Sequence, residues 1–148
     1  MSLLNSFRYI KYPLYISLIV PILIFILGDG MYIGLWYYLL IPLVIIGLHY
    51  LIFKQNSSFY SGVALGISLS FLMFLSLNWF SLRPDGMIGL IHLLFALPGM
   101  ILSIFIFGIY AHFKKSSIVL LTKIKSFLFG LFVILFGFIM GMISYYLS

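Results

Sequence analysis

Long apolar runs and short polar breaks alternate along this chain. Five runs stand out, at about 12–28, 31–53, 60–82, 87–113 and 126–147. A helix needs about 20 apolar residues to cross about 30 Å of hydrocarbon. The first run is at the short end of that range, and the fourth is long enough to demand a tilt or a bend. Nothing alternates with a period of two, as barrel strands would. The pattern predicts an all-α membrane protein with five transmembrane helices in one integral membrane domain spanning 1–148.

The breaks agree with this reading. Gly28-Asp29-Gly30 and Arg83-Pro84-Asp85-Gly86 have turn chemistry, and Lys54 to Ser58 is a polar hairpin. Such short connections predict antiparallel packing of sequential helices. The longer break, 114–125, carries an apolar patch at Ile118 to Leu121 and reads as an interfacial segment with snorkelling lysines. Starting the fifth span near Ser117 instead would bury Lys123 and Lys125, at a cost of several kcal/mol near the bilayer centre.

Charge sets the orientation. Arg8, Lys11, Lys54, Lys114, Lys115, Lys123 and Lys125 all fall in one alternating set of gaps, and Arg83 is the one base in the other set, beside both acids, Asp29 and Asp85. By the positive-inside rule the N-terminus is cytoplasmic and the C-terminus outside. The run after Arg8 and Lys11 resembles a signal peptide in outline. Its exit, Leu27-Gly28-Asp29-Gly30, is a poor cleavage site, so an uncleaved first span is expected.

Composition removes the soluble alternatives. The chain is 65% hydrophobic and 7% charged. A soluble domain carries about a quarter charged residues. The net charge of +6 would suit nucleic acid in a soluble protein. Here the bases flank apolar runs, so anionic lipid on the cytoplasmic leaflet is the expected partner and nucleic acid is not. With no cysteine there is no disulfide, thiolate nucleophile or thiolate metal site.

Small residues form the strongest local signal. Ser126, Gly130, Gly137, Gly141 and Ser144 share one helical face, and Ser58, Gly62, Gly66 and Ser70 share another. In lipid, helices associate through close backbone approach at such residues. One reading is packing inside the bundle. The other is a face for a partner or a second copy, with the fifth run the better candidate. Pro21, Pro42 and Pro98 lie inside runs and free the carbonyls of Ser17, Tyr38 and Leu94, which predicts kinks.

Candidate polar chemistry is sparse. His49 and His112 are expected as anchors at the cytoplasmic interface beside Tyr50 and Tyr110. His92 lies about a turn and a half into its run. With Asn78 at similar depth and Asp85 in the adjoining turn, it forms the one candidate polar site. Asp29 and Asp85 also suit N-caps for the helices starting at Met31 and Met87. Tyr and Trp at both boundaries read as interfacial belts. No lipase-type, zinc-protease or phosphate-loop motif is present, so no catalytic residue, metal or cofactor is expected.

Asp29-Gly30-Met31-Tyr32-Ile33-Gly34-Leu35 resembles Asp85-Gly86-Met87-Ile88-Gly89-Leu90 with one residue dropped. Duplication of a two-helix hairpin would produce this match, and so would chance in a chain rich in Gly, Leu and Ile. The reading that results is a non-enzymatic protein of a bacterial-type cytoplasmic (inner) membrane. It would act by helix–helix contact with another membrane protein or with itself, as an accessory subunit or immunity-type protein. The alternative is a small transporter or channel subunit with a polar site near His92.

Overall fold

The computed structural model describes residues 3–26, 35–53, 57–79, 91–113 and 123–147, all of them helical. We label the helices α1 (Leu3–Ile26), α2 (Leu35–Phe53), α3 (Ser57–Trp79), α4 (Leu97–Phe113) and α5 (Lys123–Leu147). A five-residue π-helical stretch, His92–Ala96, leads directly into α4. The turns at 28–30 and 83–86, with Asp29 and Asp85, lie outside the described residues, as does 114–122.

Two helical stretches are long and apolar enough to cross a membrane: Ser57–Phe74, with mean hydropathy 1.4, and Lys123–Leu147, with 2.5. In the described parts of α2 and α4 the apolar stretches are shorter, Leu39–Leu51 and Leu94–Tyr110. Length and composition alone therefore support two of the five expected spans.

Helix ends depart from the run boundaries where polar residues continue a helix. α1 begins at Leu3 and carries Arg8 and Lys11 within it. Lys123 and Lys125 stand in the first turn of α5 rather than in a separate interfacial segment, and both are exposed.

Packing order corrects the hairpin expectation. The largest interface joins α3 to α5, followed by α4 with α5 and α1 with α3. α3 and α4 are consecutive, yet they share no substantial interface among the described residues. α5 is wedged between them. Around this arrangement lies one core, with Ile41 and Ile45 from α2, Phe59, Ile67 and Phe71 from α3, Met100 and Ile104 from α4, and Phe138 from α5.

Glycine explains why α5 can be central. A Cβ at Gly130 would overlap the Phe59 carbonyl oxygen, and one at Gly62 the Phe127 carbonyl oxygen. A Cβ at Gly66 would stand 2.9 Å from the Ile134 Cβ. Partner numbers rise together along this contact, so α3 and α5 run parallel. On α4 they fall. Gly141 meets Phe95 and Ala96, whereas a Cβ at Gly137 would lie 2.6 Å from the Gly99 oxygen and 2.7 Å from the Met100 Cα. α4 and α5 are therefore antiparallel. Backbone touches backbone at both crossings, which leaves no room for a side chain.

The two proposed hairpins are not equivalent. α1 packs on α2, but α3 does not pack on α4 in the same way. Pro42 sits inside an unbroken α2, and Pro13 and Pro21 inside an unbroken α1, while Pro98 follows the π-helical stretch. A proline removes the donor for the carbonyl four residues back, here Leu94. π-helical bonding runs from i to i+5 and offers the next amide, that of Gly99.

Gly62→Leu is expected to destabilise the fold by about 1–3 kcal/mol or more, because it forces α3 away from α5. Gly47→Leu provides the contrast. No atom lies within 4 Å of a Cβ at Gly47, so this change should leave stability nearly unaltered. Equilibrium unfolding in mixed detergent micelles measures both.

Candidate functional site

The small-residue faces pack inside the chain. Gly62 and Gly66 on α3 meet α5 at Phe127, Leu131 and Ile134. Gly130 on α5 returns the contact to α3, and Gly137 and Gly141 meet α4. Ser126 is fully covered as well. Ser144 is the member of its face that stays exposed. The five glycines are thus engaged by neighbouring helices of the same chain.

Two further small residues complete the α4–α5 crossing. Gly99 faces Gly137 and Gly141, and Ser103 lies one helical turn beyond it. The Ser103 hydroxyl donates across the crossing to the Val133 carbonyl at 2.6 Å. The sequence carried the signal in Ala96, Gly99 and Ser103, spaced like the other two stripes.

Several other serine hydroxyls are satisfied within their own helices. Ser17 donates to the Leu14 carbonyl at 2.8 Å, Ser70 to Ile67 at 2.7 Å and Ser76 to Leu72 at 2.8 Å. Local back-bonding of this kind lets a hydroxyl sit among apolar side chains. Ser68 differs: its hydroxyl is buried and has no hydrogen-bond partner.

His49 is in the core, which corrects its expected place at the interface. It is fully buried and its ring lies 5.7 Å from that of Phe59. Its Nδ1 is 2.9 Å from the Ile45 carbonyl oxygen, which can only accept, so Nδ1 carries the proton. Ile41, Ile45 and His49 recur every four residues and define the inward face of α2. Sequence depth alone placed His49 near the boundary, and the helical phase turned it inward. Phe59 continues the contact to Phe129 at 6.0 Å and to Tyr60 at 5.5 Å.

The His92–Asn78–Asp85 constellation cannot be assembled from what is described. His92 opens the π-helical stretch and Asn78 lies near the end of α3, but the side chains of both, and all of Asp85, lie outside the described residues. The His112 side chain does so too. Among the described residues no three His, Cys, Asp or Glu side chains gather where they could hold a metal ion.

The described helices also form a concavity. α4 and α5 enclose a groove of about 860 Å³ floored by Gly99, Gly137 and Gly141. Its walls are Leu94, Leu102, Ile106 and Met140, all exposed. The glycine contacts create it: the backbones touch, and the large side chains stand apart on either side. No known protein family, curated protein or solved structure matches the chain.

Ser103→Ala is expected to cost about 0.6 kcal/mol, the average measured for interhelical hydrogen bonds in membranes. The loss should appear as weaker α4–α5 association in unfolding measurements, with helix content unchanged by circular dichroism.

Proposed function

We propose that this chain is an integral protein of a bacterial-type cytoplasmic membrane with five crossings, the N-terminus inside and the C-terminus outside. It acts without catalysis, through helix–helix contact with another membrane protein. One observation carries the membrane part. Large apolar side chains are exposed on several helices: Ile19 and Ile26 on α1, Leu43 and Leu51 on α2, Leu102 and Ile109 on α4, and Leu128 and Phe132 on α5 are all about half exposed or more. Exposed apolar surface of this extent needs lipid or protein against it. The directions of α3, α4 and α5 support alternate crossing, and seven of the eight bases fall on the inner side.

The interaction part rests on elimination within the chain. The glycines of α3 and α5 are used internally, so a partner has to meet another face. α2 offers one: Leu40, Leu43, Gly47 and Leu51 form an open lane, and Gly47 leaves a notch that no neighbour fills. Close approach at such a notch is how helices associate in lipid. The transporter reading has the π-helical stretch at His92 in its favour, since such stretches often mark functional sites. It lacks a buried charge: the buried polar side chains among the described residues are serines and His49.

A reporter fused after Ser148 should be active outside the cytoplasm and silent within it, whereas one placed before Met1 should behave in the opposite way. Both ends on one side would remove the five-crossing arrangement. Gly47→Leu should reduce recovery of co-purifying membrane protein from mild detergent while the chain itself is recovered in full. Undiminished recovery would exclude the α2 face.

A further inference from the structure

We propose that the α4–α5 groove binds one acyl chain of a phospholipid from the leaflet in which α5 ends. This rests on the membrane reading above and adds a ligand to it. The ligand is a linear hydrocarbon, inserted end-on from the outer boundary and halted near the bilayer midplane.

Length is the first argument. The groove follows α4 from Leu94 to Ile106, roughly 18 Å at 1.5 Å per residue. One leaflet's share of a hydrocarbon core about 30 Å thick is roughly 15 Å. A partner helix would need a track across both leaflets and a width near its own diameter of about 10 Å. At roughly 18 Å the groove is close to the length of one leaflet and well short of a track across both.

The two ends are different. Aromatic rings cluster at the inner end. Phe107 packs edge-on against Phe132 at 5.5 Å and Phe136 at 5.8 Å, and Phe136 itself lines the groove. At the outer end stand the exposed Ser144 and the pair Phe95–Tyr145, with ring centroids 5.2 Å apart. Tyrosine favours the boundary, where its ring is dry and its hydroxyl wet. A chain entering there would pass from the headgroup region into the slot.

The lining selects hydrocarbon. Apart from Ser144 at the mouth, the hydroxyl in the groove belongs to Ser103, and that hydroxyl already donates to Val133. The glycine floor gives a smooth bed without side chains, and Leu102 and Met140 flank it. Below the mouth no described side chain is left with a free polar group to orient a polar ligand, and a second copy of this chain would meet the same shallow end at Phe136.

The test uses the full chain in phosphatidylcholine vesicles doped with a phosphatidylcholine that carries a diazirine at the end of one acyl chain. After irradiation, adducts are mapped by mass spectrometry. The expected result is severalfold enrichment at the inner end, on Phe105, Ile106 and Phe136, over Leu43 and Gly47 on the α2 face. Leu102→Trp and Met140→Trp, each at an exposed wall, should remove that enrichment, and Leu43→Trp should not. Even labelling of all outward faces overturns the proposal and leaves the membrane reading standing. So does crosslinking of groove residues to a second copy or to another protein helix. A chain that washes off the vesicles in alkaline carbonate overturns both.

Discussion

The architecture depends on bare backbone contact along α5. Gly130 lets α3 approach one half of that helix, and Gly137 and Gly141 let α4 approach the other. A methyl group at any of these positions would overlap main-chain atoms, which cannot move as a flexible side chain would. In the membrane setting proposed here, the constraint matters more than it would in water. Lipid tails are as apolar as leucine, so burial adds little and contact distance decides which helices stay together. An interhelical hydrogen bond from Ser103 to Val133 falls at the same crossing. Packing and polar satisfaction thus converge on one pair of helices.

This constraint also explains why consecutive helices are not the closest neighbours. Short turns suggest that α3 and α4 should pack directly. The glycines on α5 outcompete that arrangement, because α5 presents a smooth face to each of them and they present none to one another. The parallel α3–α5 contact and the antiparallel α4–α5 contact put α5 in the centre, although it comes last in the chain. α1 then closes on α3, where Pro13 and Ser17 are buried.

Helical content and the face each glycine occupies could be read from residue order alone, because both follow from hydropathy and a period of 3.6. Gly62, Gly66, Gly130, Gly137 and Gly141 share faces for geometric reasons that need no neighbour. Which helix each face would meet could not be read, since one stripe fits a second copy as well as it fits α4. His49 shows the same limit. Its distance from Lys54 suggests an interfacial place, but depth along an axis says nothing about rotation about it. The regular spacing of Ile41, Ile45 and His49 held that information and was outweighed by the histidine's polarity. The π-helical geometry at His92–Ala96 was beyond reach as well: Pro98 announces a disturbance, and the local packing decides whether it becomes a kink or a wider turn.

The groove is the other side of the same arrangement. When two helices meet at glycine, their larger side chains cannot fill the space above the contact, because each is rooted on a helix that has already closed to backbone distance. Leu102 on one side and Met140 on the other stand as walls for that reason. The phenylalanines around Phe107 interrupt the slot where α4 and α5 begin to carry bulk on both sides. A continuous small-residue stripe would have sealed or opened the groove along its whole length. Glycine towards the C-terminal half of α5 and phenylalanine before it limit the groove to part of the helix length. The residues that hold α5 in the bundle are therefore also the ones that shape this groove, so a change at Gly137 cannot alter one without altering the other, while a change at Leu102 can.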